Sequence, residues 1–221
     1  MNYSIAVDGP AGAGKSTIAK RIAKELNFIY VDTGAMYRAM SIYFLDNGVN
    51  PMEEDKITKA CDNINIQIVY KDDAQQVILN GENVTGRLRM EEVGKMASKI
   101  SVYNAVRTKL VDLQRKLAED NDVIMDGRDI GTVVLPDATL KIYLTASVSA
   151  RAKRRYDELV EKGENPDFDS IAADIKERDD RDMNREISPL KQAEDAVLVD
   201  SSDMTIDEVV NAISDLFSQK K

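Results

Sequence analysis

The sequence predicts an α/β fold: a central five-stranded parallel sheet with helices on both faces, a small inserted antiparallel sheet and a short Arg-rich lid. Three observations lead there. The apolar run Ile5-Ala6-Val7 feeds a glycine-rich turn and then a helical pattern. Four more short apolar runs, at 28–31, 123–125, 140–144 and 196–199, alternate with helical segments, as strands of a parallel sheet do. Between them, residues 64–70 alternate apolar and polar with period two, and Asn80-Gly81 supplies a hairpin turn. At 221 residues the chain suits a single unit over 1–221, with the insertion at 62–90 and the lid and its flanking helices at 150–187.

The first turn carries chemistry. Gly9-Pro10-Ala11-Gly12-Ala13-Gly14-Lys15-Ser16 has the spacing G-x-x-x-x-G-K-[ST], the signature of a phosphate-binding loop, so the fold class is that of a P-loop NTPase. Glycines let such a turn wrap a polyphosphate, with backbone N–H groups and the positive end of the next helix facing the anion. Lys15 adds a movable positive charge, and Ser16 offers a hydroxyl to a magnesium ion, which takes few ligands from protein. A glycine turn that merely joins strand to helix is the plainer reading. The apolar strand before the motif and Ile18, Ile22 and Leu26 at four-residue spacing after it favour nucleotide binding.

The second strand ends in Asp32-Thr33-Gly34, and Met36, Met40 and Phe44 then recur every four residues, so a helix runs to about Asn47-Gly48. Arg38 lies off that apolar stripe, as a solvated cation or a ligand for a substrate phosphate. In the insertion, Lys71-Asp72-Asp73 links the alternating run to Val77-Ile78-Leu79. Ser98 and Arg107 follow in helical sequence beside the stripe Val102, Val106, Leu110, Leu113 and Leu117. The strand at 123–125 ends in Asp126-Gly127-Arg128-Asp129; ligands of open α/β sheets sit beyond the carboxyl ends of strands, so this tetrapeptide should face the phosphate loop. An acid there is where a magnesium-associated carboxylate is expected, a helix or turn cap being the competing role. Thr205 with Glu208 makes a capping box that starts the last helix, through Val209, Val210, Ile213 and Phe217.

Arg151, Arg154 and Arg155 stand at helical spacing, Gly163-Glu164-Asn165-Pro166 breaks the chain, and a second polar helix carries Arg178 to Arg185. Charge pattern alone describes a solvated, salt-bridged helix pair. Arginine, however, makes bidentate contacts to phosphate that lysine does not, and it is concentrated here in a chain with more lysine overall; a mobile lid closing over phosphates accounts for both.

Composition narrows the chemistry. With no His, imidazole bases, Ser-His and Cys-His nucleophiles and nearly all zinc sites are excluded. One cysteine, Cys61, forms no intramolecular disulfide and reads as a small buried residue, consistent with a reducing cytoplasm. The net charge of −9 argues against a nucleic-acid polymer as partner. No segment is apolar enough for a bilayer, the N-terminus lacks the pattern of a secretory signal, and a cytoplasmic monomer is expected. A phosphate loop, magnesium ligands and clustered Arg describe phosphoryl transfer by positioning and charge. Without His, an acceptor that is already an anion, such as a phosphate monoester, is favoured over an alcohol, although Asp could serve as base. A kinase for another small acceptor and a nucleotide-driven switch remain open at this level.

Four blocks then resemble the bacterial cytidylate kinase family: Asp-Gly-Pro-Ala-Gly-Ala-Gly-Lys-Ser at 8–16, Asp-Thr-Gly-Ala-Met-Tyr-Arg at 32–38, Asp-Gly-Arg-Asp-Ile-Gly-Thr-Val-Val at 126–134 and Arg-Asp-Asp-Arg-Asp-Met-Asn-Arg at 178–185. They run in order along almost the whole chain, and the insertion falls where that family carries its enlarged nucleotide-binding domain. The resemblance implies transfer of the γ-phosphoryl group of ATP to CMP or dCMP. It implies Lys15, Arg128 and Arg178 as catalytic residues, and Gly9 to Ser16 with Thr17, Arg154 and Arg155 as the ATP site. Ser16 and Asp126 would serve Mg2+. Thr33, Arg38 and Arg128 would meet the acceptor phosphate; Ser98, Arg107, Asp129 and Arg185 the cytosine; Arg178 and Asp182 the phosphate and ribose region. Thr33 replaces a frequent Ser and keeps the hydroxyl.

Overall fold

The computed structural model describes residues 2–71 and 74–221. Asp72 and Asp73, read above as part of the link within the insertion, lie outside the described residues. The chain divides into two compact units, one made of 1–30 with 121–221 and the other of 31–120.

The first unit is built on β1 (Ser4–Asp8), α1 (Lys15–Leu26) and β2 (Ile29–Asp32), which ends at the boundary between units. The later strands of its sheet bear the numbers they take in chain order: β6 (Val123–Gly127), β7 (Leu140–Thr145) and β8 (Val197–Asp200). The sheet order is β2-β6-β1-β7-β8, with β1 parallel to both β6 and β7 and β7 parallel to β8. The predicted five-stranded parallel sheet is therefore present, with boundaries within two residues of those expected.

Successive side chains of a strand point to opposite faces. Ile5 and Val7 of β1 thus join Ile124, Ile142 and Leu144 in a core with Ile18 and Ile22 of α1 and with Val209, Val210, Ile213 and Phe217 of the last helix, α8 (Ile206–Ser218). Tyr3 and Phe28 close the end of this core on the edge of Phe217, with centroids 5.7 and 5.5 Å from it. The Thr205–Glu208 capping box forms as expected. Asp8 ends β1 on the opposite face, with Gly127 and Tyr143 beside it in the register. After β6 the chain makes one wide helical turn, Ile130–Val134. The polar stretch after β7 forms α6 (Val148–Glu161) and α7 (Phe168–Asn184), joined through Gly163 with a left-handed φ of 79°.

The second unit is organised on α2 (Thr33–Asp46), where Met36, Met40 and Phe44 are fully buried. Its small sheet, order β3-β4-β5, comprises β3 (Ile66–Lys71), β4 (Ala74–Leu79) and β5 (Glu82–Asn83) and is antiparallel, as the alternation predicts. Asn80 and Gly81 take φ of 48° and 89°, the pair of left-handed residues that a tight hairpin turn needs. One helix, α3 (Glu54–Cys61), is not anticipated: its stripe is only Ile57 and Cys61, too short a period to read. The single helical run expected around Ser98 and Arg107 is two helices, α4 (Glu91–Ile100) and α5 (Asn104–Glu119). The break has local causes: the Ser101 hydroxyl bonds back to the Ser98 carbonyl at 3.0 Å, and the Tyr103 hydroxyl is drawn to the Pro51 carbonyl at 2.6 Å. Val102, counted in the stripe, lies in the link.

Candidate active site

The loop between β1 and α1 has the shape its glycines permit. Gly9, Gly12 and Gly14 have φ of 147°, 77° and 87°. A Cβ at Gly9 would stand 1.9 Å from the Leu144 carbonyl oxygen, so no other residue fits there. Lys15 is 6% exposed and donates to the Pro10 carbonyl at 2.7 Å, folding over its own loop. Burial first, and then the neighbouring Arg128 guanidinium, hold the Lys15 ammonium well below the usual lysine range, against the pull of Asp126 and Asp8.

Ser16 Oγ donates to Asp126 Oδ2 at 2.8 Å, and the Tyr30 hydroxyl donates to Oδ1 of the same carboxylate at 2.7 Å. Asp126 is thus fixed from α1 and from β2, and Lys20, one turn after Ser16, lies 5.5 Å from the centroid of the Tyr30 ring. Among the described residues no group of three or more Asp, Glu, Cys or His gathers as a metal cage. A hydroxyl and one carboxylate at the foot of a phosphate loop are nonetheless a donor set that suits magnesium, which keeps water and phosphate as its other ligands. Ser16 and Asp126 fit that ion.

Beyond Asp126 the charges are paired. Arg128 Nε donates to Asp182 Oδ2 at 2.8 Å and its Nη1 to the Gly127 carbonyl at 3.1 Å. Burial alone would lower the pKa of Arg128, but Asp182 outweighs it and raises it. Burial would likewise raise Asp182, and Arg128, Arg178 and Arg185 together bring it below the usual carboxylate range. Asp129, 5% exposed, faces Arg185 Nη2 at 3.6 Å, and Arg185 Nε donates to the Ser188 carbonyl at 2.6 Å. Lys15, Ser16, Asp126, Arg128, Asp129, Arg178, Asp182 and Arg185 thus all belong to the first unit, Arg178 sharing in the charge environments of both Lys15 and Asp182.

The three arginines of α6 have three different environments. Arg151 is 4% exposed: Nη2 pairs with Asp179 at 2.6 Å, Nε donates to the Ala146 carbonyl at 2.8 Å and Nη1 to the Ala11 carbonyl of the phosphate loop at 3.0 Å. Arg154 Nη2 donates to the Ser201 carbonyl at 2.6 Å, and Ser201 Oγ reaches the Ala13 carbonyl at 3.5 Å. Arg155 makes an exposed pair with Glu158 at 2.9 Å.

In the second unit, Asp32 caps α2 by accepting from the Ala35 N–H at 2.9 Å, which buries Thr33 in the first turn. Arg38 lies over that turn: a Cβ at Gly34 would meet its guanidinium at 3.2 Å. Ser98 is half-buried on α4, and Arg107, 3% exposed on α5, points Nη1 toward the Ser101 carbonyl at 3.5 Å.

The family model described as cytidylate kinase matches residues 5–219. The chain belongs to the cytidylate kinase family. It is accordingly a nucleoside monophosphate kinase, a phosphotransferase. The cytidylate kinase of Caldicellulosiruptor saccharolyticus is 51% identical over 97% of this chain and 95% of its own. That of Lactobacillus johnsonii is 48% identical over 100% of this chain and 97% of its own. A solved gluconokinase from Sinorhizobium meliloti superposes with a TM-score of 0.51 at 14% identity over 98% of this chain and 92% of its own, a likeness of fold. Two residues around the site of this cytidylate kinase family member, Tyr30 and Ser201, escape the motifs and spacings of the sequence, and a third, Asp8, stands at the head of the 8–16 block with no role read for it. Tyr30 falls in an apolar run, Ser201 follows a strand, and Asp8 precedes the phosphate-loop motif. Asp8 alone carries a further signal, since it is an acid that follows the apolar run Ile5-Ala6-Val7 at the end of β1.

Proposed function

We propose that this kinase transfers the γ-phosphoryl group of ATP to CMP and dCMP, giving CDP and dCDP, by direct in-line displacement with magnesium and no covalent intermediate. The observation that carries the reading is the Ser16–Asp126 hydrogen bond, which joins the phosphate loop to the strand end from which Arg128 and Asp129 follow. Relatives named cytidylate kinase at 45 to 51% identity support CMP as the acceptor.

In this reading residues 9–17 hold the ATP phosphates, and Arg154 and Arg155 serve the ATP side, Arg155 being held by an exposed pair that breaks at little cost. Ser16 and Asp126 would hold magnesium, which would supply charge neutralisation on the phosphates. An oxygen of the acceptor phosphate attacks the γ-phosphorus as the bond to the bridging oxygen of ADP breaks. That oxygen is already anionic near neutral pH, so a chain without His needs no base. Lys15, Arg128 and Arg178 meet the charge carried by the transferring group. Asp129, Arg185, Arg178 and Asp182 keep the base, phosphate and ribose roles given above, as do Thr33, Arg38, Ser98 and Arg107. Residues 62–90 are taken as part of the CMP-binding domain and 150–187 as the lid with its flanking helices. The net charge of −9 supports small-molecule partners rather than a nucleic-acid polymer or a membrane, for a monomer in the cytoplasm.

A coupled assay over nucleoside monophosphates tests the proposal. The highest kcat/KM is expected with CMP or dCMP, and equal rates with AMP or UMP would refute it.

A further inference from the structure

Asp8 is a buried carboxylate that the mechanism above does not use. It is 5% exposed, at the last position of β1 and directly before Gly9. Both oxygens are committed to one target: Oδ1 accepts from the Ile130 N–H at 2.8 Å and Oδ2 from the Gly131 N–H at 2.7 Å. Ile130 follows Arg128 and Asp129 without a spacer, and the Asp129 carbonyl accepts from Val133 and Val134 at 2.9 and 3.2 Å, closing the turn on itself. Asp129 itself has an irregular backbone, φ −147° and ψ 27°. Gly131 also lies close under Lys141 and Asp8: a Cβ there would stand 3.1 Å from Lys141 Cδ and 3.4 Å from Asp8 Oδ2.

A carboxylate taking two N–H groups fixes the direction in which a chain leaves a strand, since each bond to a charged acceptor is about twice as strong as a neutral one. Here the chain leaving β6 is pulled across the end of β1, where the phosphate loop begins. We propose that Asp8 is a positioning residue, locking the acceptor-side pair Arg128–Asp129 in register with the donor-phosphate loop and so setting acceptor affinity and base choice. The inference rests on the assignment of Arg128 and Asp129 to the acceptor, and it adds a residue that touches neither nucleotide.

Three variants test it by steady-state kinetics in which KM for CMP, KM for ATP and the CMP-to-UMP ratio of kcat/KM are read separately. Asp8→Ala removes both acceptors and Asp8→Asn keeps one. Gly131→Ala crowds the turn from the far side, chiefly against Lys141 with Asp8 Oδ2 at contact distance, leaving the residue next to the loop in place. The expected result is a graded rise in KM for CMP, largest in Asp8→Ala at about tenfold or more and smaller in Asp8→Asn, with the CMP-to-UMP ratio falling and KM for ATP within about twofold. Equal losses for both nucleotides, or an unchanged KM for CMP and ratio, would overturn the inference. If Asp8→Ala does not fold, Gly131→Ala and Asp8→Asn decide between the same two outcomes. A wild-type enzyme with no preference for CMP would instead overturn the proposed function; the split between acceptor and ATP, measured with the preferred acceptor, would still test Asp8.

Discussion

Replacing Arg151 with Met should cost this protein more stability than any exposed ion pair could. The side chain packs against Gly12, pairs with Asp179 at 2.6 Å and caps two carbonyls, Ala146 and Ala11, at 2.8 and 3.0 Å. Arg151 and Asp179 have side chains only 4% and 9% exposed, so Arg151→Met strands a buried carboxylate as well as the two carbonyls. Breaking a buried pair from one side costs about 3–5 kcal/mol. For a chain of this size that corresponds to a fall in Tm of roughly 6–20 °C. The double variant Arg151→Met/Asp179→Leu removes the stranded charge and should regain part of the loss, the carbonyls remaining unsatisfied. Thermal unfolding followed by circular dichroism measures both the loss and the recovery. A single variant within about 1 kcal/mol of wild type, or a double variant no better than the single, would refute the account of Arg151 as a buried anchor.

Tyr30→Phe removes one hydroxyl donor from Asp126, so the magnesium concentration needed for half-maximal ATP binding should rise about tenfold while metal-free nucleotide binding stays the same; titration with a fluorescent nucleotide reads this without turnover, and an unchanged requirement would count against Tyr30 as the support of Asp126. The pH dependence of stability offers a further check. Burial, only partly offset by the Gly131 and Ile130 N–H groups, raises Asp8 from the usual 3.8 to about 6. Its proton is therefore held more tightly in the folded state, so the contribution to stability is complete below pH 3.8 and is lost as pH rises through about 6. Compared by urea unfolding across that window, wild type should lose up to about 3 kcal/mol relative to Asp8→Asn. A difference that does not vary with pH would refute the shift.

The sheet was legible because its strands are short apolar runs set between helical patterns, and the hairpin because Asn80-Gly81 has one natural conformation. The phosphate loop was legible because its glycines are demanded by backbone geometry, as the Leu144 carbonyl against Gly9 makes plain. Spacing could not tell which arginine of a helix turns inward. Arg151, Arg154 and Arg155 share one pattern, yet one anchors the loop, one binds the end of β8 and one is exposed, because only tertiary packing decides where α7 and Ser201 lie. The break between α4 and α5 was hidden for a related reason: Ser101 and Tyr103 act through bonds to Ser98 and Pro51 that no periodicity encodes. Asp8 and Tyr30 sit in strands, where sequence patterns report burial and say nothing of partners.

Two carbonyls of the phosphate loop are engaged by donors from two places: Pro10 by Lys15 and Ala11 by Arg151. A peptide whose carbonyl is held cannot turn over without breaking that bond, so each bond narrows the set of shapes open to the loop. Apparent affinity falls in proportion to the fraction of molecules in a competent shape. A loop braced on its carbonyl side by Arg151 raises that fraction, so less of the binding energy of ATP goes into shaping the loop.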